Sequence, residues 1–232
     1  MTVFDRTFVV NLDRRRDRWD SFLARFPSPW PFAKPERWKA VDGNECDVPD
    51  WFQAQAGAWG CMQSHLAIWR EQIEHDWDAV LIFEDDAVFS AQAVDVIQRT
   101  MEIVPEDWDQ IYFGGQHLDT NERPPEAEIP GKLVQCRYTN RTHAYAIRWG
   151  FAVEAYETIS QPAPERGARV QHIDYRLGDM HDRYKVYAPW RFCVAQARGI
   201  SDVTNTLRGT PKRVREHWWN QFPIANRVQV PV

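Results

Sequence analysis

Val80-Leu-Ile-Phe-Glu-Asp-Asp-Ala-Val-Phe89 runs an apolar stretch of strand character into three consecutive carboxylates and then turns apolar again. Glu84, Asp85 and Asp86 cannot all be ionised close together without raising one another's pKa, so water, a cation or a basic partner has to offset the repulsion. A divalent metal with hard oxygen ligands is the economical solution. Held by only one or two carboxylates, it keeps coordination positions for a substrate's phosphates. This strand tip therefore points to a nucleotide or nucleotide-sugar site. The same residues also read as a strand followed by an acidic helix start, where Asp and Glu oppose the helix dipole.

Working outward, Phe8–Leu12 reads as a short strand, and Asp13–Phe26 places Trp19, Phe22, Leu23 and Phe26 at the spacing of an amphipathic helix, with Asp13 as its N-cap. Pro27, Pro29, Pro31 and Pro35 enforce a loop, and Trp38–Gly43 looks like a strand entering a turn. A helix over 58–74, with Met62, Leu66, Trp69 and Ile73 along one face, feeds the strand 78–83. A third helix over 90–104 precedes a strand, Trp108–Gly115, that ends in glycines. Residues 119–131 are polar and Pro-rich and read as a long loop, either a lid or a surface excursion. Strands follow over 133–139 and 143–148, a helix over 151–159, a strand over 184–197 broken at Pro189, and an amphipathic helix over 211–222. Alternating elements of this kind predict an α/β fold with an open, mostly parallel, Rossmann-like sheet flanked by helices, its site at the carboxyl ends of the strands.

The 232 residues fit one domain, and 44% hydrophobic content is ample for a core. A net charge of -5 argues against a general nucleic-acid or anionic-membrane binder, although Lys212-Arg-Val-Arg215 and Trp218-Trp219 leave nucleic acid open as a partner. No apolar run reaches bilayer-spanning length and the first residues lack a signal-peptide layout, so the expectation is a cytoplasmic protein, at most peripheral at the inner membrane. Cys46, Cys61, Cys136 and Cys193 form no Cys-x-x-Cys pair and read as reduced, structural thiols. Twelve tryptophans suit stacking on sugars as well as core packing.

Several segments, in order along the chain, resemble glycosyltransferase family 25, the lipopolysaccharide-biosynthesis galactosyltransferase-like family related to the collagen galactosyltransferases. Val9-Val-Asn-Leu-Asp-Arg14 with Asp17-Arg18 is similar to the family's "INLDRxxDR", and Ala40-Val-Asp-Gly43 to its "A(V/I)DG". Gly57-Ala-Trp-Gly-Cys-Met-Gln-Ser-His-Leu66 is similar to "GExGCxxSH", and Ile82-Phe-Glu-Asp-Asp86 to "(L/F)EDD". Asp109–Gly114, Thr142–Tyr145, Asp174, Gln196 and Ser201-Asp202 continue the succession. Trp59 stands where the family often has an acidic or small residue, and the expectation is a compact member without the extra C-terminal region of longer ones.

The resemblance implies a GT-A fold in one domain, with residues of about 1–115 as the nucleotide-sugar half and about 116–232 as the acceptor half. It implies a UDP-sugar donor, galactose first, and a Mn2+ or Mg2+ ion. The acceptor would be a glycan such as a lipopolysaccharide core, lipid-linked or free, with a hydroxylated protein or nucleobase as the alternative. Transfer would be inverting. Asp86 is the first choice for direct metal ligand, with Glu84 and Asp85 reaching the ion through water or the donor's ribose. Asp174 is the candidate base for the acceptor hydroxyl, with Asp179 and Asp182 behind it and an N-cap as its competing role.

Asn11 and Arg14, ending the first strand, can contact the nucleotide, while Arg15, Arg16 and Arg18 fall on a solvated helix face. Asp42 and Gly43 either bind the uridine or simply make a turn. Ser64 and His65 either face the donor near a helix N-terminus or pin that helix. His143 and Tyr145 read as structural, and His181 or His217 as a further metal ligand. Two other classes compete, a metal-dependent phosphohydrolase, whose second set of Asp and His ligands is not found at recognisable spacing, and a non-catalytic glycan-binding module.

Overall fold

The computed structural model describes residues 3–118, 122–163, 171–197 and 202–203, together with the backbone of 199–200 and 207–208. The opening strand β1 (Arg6–Asn11) pairs in parallel with β2 (Pro35–Lys39) on one side and β3 (Ala79–Glu84) on the other. Ala79 to Phe83 are all buried, as a strand covered on both faces requires. Alternate residues serve opposite layers. Phe8, Val10, Val80 and Ile82 join one apolar cluster, and Val9, Leu81 and Phe83 join the other.

The first cluster packs beneath α2 (Ala56–Glu74), α4 (Trp149–Ile159) and α5 (Ile173–Gly178), through Met62, Leu66, Trp69, Phe151, Ala155 and Leu177. The second lies beneath α1 (Arg16–Arg25) and α3 (Ala93–Ile103), through Phe22, Ala93 and Ile97. Helices thus cover both faces of an eight-stranded sheet in the order β2-β1-β3-β8-β5-β9-β7-β6. Here β5 is Gln110–His117, β6 Glu126–Ile129, β7 Leu133–Gln135, β8 Thr139–Arg148 and β9 Val186–Pro189. Strands β2, β1, β3, β5, β9 and β6 share one direction, and β8 and β7 oppose it. The mostly parallel α/β sheet is as expected; the antiparallel β8 between β3 and β5 was not legible.

Several local expectations are corrected. Helix α1 starts at Arg16 after an Arg15 with no side-chain cap, because Asp13 is drawn to Arg37 and Lys39 instead. The third helix begins only at Ala93, since Ala87–Phe89 forms a short strand, β4, antiparallel to β10 (Val194–Gln196). The glycine-ended strand runs on to His117 through register shifts around Gly114, where an added Cβ would lie 2.3 Å from His143 Nε2. The loop after it contains β6, which folds back on β7. Pro189 does end β9, and β10 leaves the main sheet. The helix expected over 211–222, with Lys212, Arg213 and Arg215, lies outside the described residues, while β11 (Gly199–Ile200) pairs with β12 (Leu207–Arg208).

One close approach sets the distance between the loop after β2 and α2. A Cβ on Gly43 would lie 1.7 Å from the Ala56 carbonyl oxygen, and one on Gly60 would lie 2.5 Å from both Gly43 N and Val41 O. Backbone rather than flexible side chain is met in each case, so the clash is relieved only by moving the loop. Gly43→Ala should therefore destabilise the protein by about 1–3 kcal/mol, the cost of overpacking, read as a lower urea midpoint at an unchanged slope.

Candidate functional site

Two clefts open beside the carboxyl ends of β1 and β3, where a doubly wound sheet binds its ligands. The first, about 530 Å³ of empty space, is lined by Arg14, Arg18, Asp42, Ser64, His65 and Asp85 among others. The second, about 1220 Å³, is lined by Gln116, Asn140, Arg141, Thr142, Asp174 and Gln196 among others. Cys61, Glu84 and Val203 line both, so the two meet at the tip of β3. Neither is lined by tryptophan among the described residues. Several tryptophans pack instead: Trp69 is fully buried, and Trp59 meets Trp51 and Phe52 edge-on.

The three consecutive carboxylates point three ways. Glu84, the last residue of β3, accepts a hydrogen bond from Thr142 Oγ1 at 2.7 Å in the shared part of the clefts. Asp85 turns inward to accept from Asn11 Nδ2 at 2.6 Å and Arg18 at 3.3 Å. Burial raises its pKa, opposed by those two donors. Asp86 lines neither cleft; its carboxylate takes Gln196 Nε2 at 3.5 Å, and its carbonyl takes the Ala197 N–H at 2.6 Å.

Asn11 is 1% exposed and lines neither cleft, because its side chain is consumed internally. Its amide donates to Asp85 and the Arg15 carbonyl, and its oxygen accepts from Arg37 Nε at 2.7 Å. It positions Asp85 rather than touching a ligand in the first cleft. Arg14 does line that cleft, bridging Asp42 at 2.6 Å and Asp202 at 2.7 Å. The solvated face expected for Arg15 and Arg18 is corrected: both are half-buried and ion-paired with Asp202, at 2.5 and 3.0 Å. Arg16 alone of the three is exposed.

Asp42 has its pKa lowered by the Arg14 guanidinium, and its other oxygen caps the 3₁₀ turn Gly43–Glu45 through Asn44 N. Gly43 is buried packing against α2, so the turn reading holds for it. Ser64 pins the same loop, donating to Gly60 O at 2.7 Å and accepting from Val41 N at 2.9 Å. His65 is fully buried; Nδ1 meets Tyr145 Oη at 2.9 Å, and that oxygen also accepts from Trp69 Nε1 at 3.1 Å. Its Nε2 faces Glu84 Oε1 at 3.8 Å, beyond hydrogen-bond reach.

Asp174 sits in the first turn of α5, two residues past an N-cap position filled by His172. Burial raises its pKa, with His172 and Arg141 opposing. Arg141 is held at φ 83°, a left-handed conformation costly for a side chain of its size. Asp179 and Asp182 are exposed, Asp182 toward Arg123, and neither lines the second cleft. His181 is a core residue: burial lowers its pKa to about 3, and its Nδ1 accepts from the Thr139 N–H at 3.2 Å. It does not reach the β3 tip clefts, and His217 lies outside the described residues. His143 is structural as expected, bonded to the Val194 carbonyl at 3.2 Å. Sequence reasoning missed Cys61, Thr142, Arg141 and Asp202 as cleft residues. The i, i+4 spacing of Cys61 and His65 on α2 was one available signal, and the family-like segments containing Cys61, Thr142 and Asp202 were another.

The mixed α/β sheet thus carries two adjoining clefts at one acidic strand tip. Residues 4–130 match the family described as "Glycosyltransferase family 25 (LPS biosynthesis protein)", more than half of the chain. The chain belongs to glycosyltransferase family 25. It is 30% identical to procollagen galactosyltransferase 2 of Mus musculus over 62% of this chain and 26% of that protein. It is 32% identical to inactive glycosyltransferase 25 family member 3 of Homo sapiens, over 78% of this chain and 32% of that one. The chain thus spans about a quarter to a third of the length of these relatives. A solved UDP-glucose pyrophosphorylase complexed with UDP-glucose overlaps it at a TM-score of 0.44 and 11% identity, over 79% of this chain and 72% of that one. The family match includes Asn11 to Asp86 and ends before Asp174. No described helix is long and apolar enough to cross a membrane.

Replacing Asn11 separates positioning from ligand contact. Asn11→Ala should cost about 1.5–3 kcal/mol, the worth of hydrogen bonds to charged groups. The loss is expected in urea unfolding without any ligand present; an unchanged midpoint would mean that Asp85 is held by Arg18 alone.

Proposed function

We propose that this chain transfers a hexose, galactose first, from a UDP-sugar to a glycan hydroxyl, with donor and acceptor in the first and second clefts. The observation that carries this reading is Glu84 at the junction of the two, with Asp174 across the second. The first cleft suits a diphosphate. Arg14 and Arg18 line it, as does Gly57 in the first turn of α2, where the helix dipole favours anions. Asp42 is the residue proposed for the ribose.

A Mn2+ or Mg2+ ion would be held by the hard oxygens of Glu84 in the junction, and Asp86 would join it by turning away from Gln196 toward the clefts, since such ions use one or two carboxylates and complete their shell with phosphates. When bound it would neutralise charge on the departing diphosphate. The rest falls to the chain. Asp174, its pKa raised by burial, takes the acceptor hydroxyl's proton while that oxygen bonds to the anomeric carbon. The carbon–oxygen bond to the diphosphate breaks on the opposite face, UDP leaves with the bonding electrons, and the configuration inverts. Arg14, Arg18 and the start of α2 hold the leaving group. The acceptor proposed is a surface glycan such as a lipopolysaccharide core, lipid-linked or free, with a hydroxylated protein as the alternative.

A second reading is a nucleotide-binding protein without turnover, favoured by the likeness to relatives named inactive. Calorimetric titration with UDP, GDP and CDP, with and without Mn2+, tests the shared premise. Metal-dependent UDP binding is expected, weakened at least about tenfold in Glu84→Gln and Asp86→Ala; no nucleotide binding under any condition overturns both readings. Asp174→Asn should bind UDP normally while transfer from UDP-galactose falls about 10²- to 10⁴-fold. Normal transfer by that variant would remove Asp174 from the mechanism.

The pH profile follows from the sign of the shift. A base works deprotonated, so the wild-type rate should fall as the pH drops through an Asp174 pKa above its ordinary 3.8. An acid limb left in place in the residual activity of Asp174→Asn would assign that limb to another group.

A further inference from the structure

We infer that Cys61, His65 and Glu84 form a binding site for a borderline-soft divalent cation of the zinc class, which shares Glu84 with the hard-oxygen ion proposed for the transfer reaction and differs from it in its sulfur and nitrogen ligands. One sulfur, one imidazole nitrogen and one carboxylate oxygen all lie within 4.8 Å of one another, the one such group of three among the described residues. Cys61 and His65 are one helical turn apart on α2, so the helix itself holds two donors on one face, and β3 delivers the third at its tip.

His65 supplies the independent sign of a ligand. Its side chain is 0% exposed, and its Nε2 has no hydrogen-bond partner while aimed at Glu84 Oε1 3.8 Å away. A buried imidazole nitrogen left in this state costs free energy that a metal bond would recover. The other face of the ring is already arranged as metal-binding histidines require: Nδ1 is anchored by Tyr145 Oη, which is fixed in turn by Trp69. In the bound state Nδ1–H donates to that oxygen, and Nε2 presents its lone pair.

The required movement is small. Tetrahedral zinc with sulfur at about 2.3 Å and nitrogen or oxygen at about 2.0–2.2 Å sets ligand atoms about 3.3–3.6 Å apart. The present separations, at most 4.8 Å, need to contract by no more than about 1.5 Å, which rotation of Cys61 and Glu84 supplies, both being at the wall of the open clefts. Three protein ligands leave a fourth position toward that space, the arrangement of an open rather than a closed zinc site. Binding releases the Cys61 thiol proton to solvent, so affinity rises with pH. Thiolate and imidazole favour zinc and cobalt over Mn2+ and Mg2+.

Cobalt is the probe, because a Co2+–thiolate bond gives a near-ultraviolet charge-transfer band whatever the enzyme's activity. The intact chain, stripped of metal and kept reduced, should develop this band on titration with Co2+ and lose it when Zn2+ is added, while Mn2+ fails to displace cobalt. Cys46→Ser, which removes the exposed thiol, should keep the band, and Cys61→Ser should abolish it. His65→Gln and Glu84→Gln should each weaken Co2+ at least about tenfold. Asp86→Ala, outside the trio, should keep the band even where Mn2+-dependent UDP binding is lost, so this site and the transfer reading fail separately. No band in the wild-type chain, a band that survives in Cys61→Ser, or unchanged affinity in both His65→Gln and Glu84→Gln would overturn the inference. The wild-type titration decides it even where a variant does not fold.

Discussion

The burial of Asp85 constrains everything around it. A carboxylate at the end of a central strand is taken out of water, which raises its pKa, and the protein answers with Asn11 from β1 and Arg18 from α1. Those two donors tie three elements at one point. Because Asn11 also accepts from Arg37 on β2, the first three parallel strands are locked at their carboxyl ends by one connected set of polar groups. The direction of Glu84 follows from the same constraint. Successive residues leave an extended chain on opposite sides, so when Asp85 turns in to Asn11, Glu84 is delivered to the junction with Thr142 and His65.

The guanidinium groups of Arg14, Arg15 and Arg18 illustrate how charge is managed beside this point. All three reach Asp202, which follows them by more than 180 residues and returns the chain to the first cleft. A Cβ on Gly57 would lie 2.1 Å from the Asp202 carbonyl oxygen, so the same segment also presses on the start of α2. The cleft is therefore walled by residues from both ends of the described chain, and its cations are balanced by Asp42, Asp85 and Asp202.

Much of this was legible in the sequence where one physical cause acts locally. The apolar run before Glu84 and the period of Met62, Leu66 and Trp69 each fix an element, and their alternation fixes the α/β class. The carboxylates were legible as a cluster but not as three directions, because direction depends on which partners Asn11, Thr142 and Gln196 bring from distant elements. Asp13 looked like an N-cap for the same reason: the competing cations, Arg37 and Lys39, lie on another strand. The left-handed backbone of Arg141 leaves no mark in composition, since residues of that type rarely adopt it. His65 was read as either ligand-facing or structural, and the two edges of its ring divide those roles between Glu84 and Tyr145.

The placement of β8 has a consequence for how the chain acquires its shape. β3, which carries the acidic tip, and β5 lie on either side of a strand that comes later in sequence than both. Until residues 139–148 arrive, β3 and β5 each present an unpaired inner edge, and the two layers of core on either side of them have no continuous sheet to close upon. The carboxylate that faces both clefts therefore receives Thr142 only with the last central strand. Closure of the centre of the sheet is a late, long-range event, and a nascent chain paused at the end of β5 is the species most exposed to edge-to-edge association.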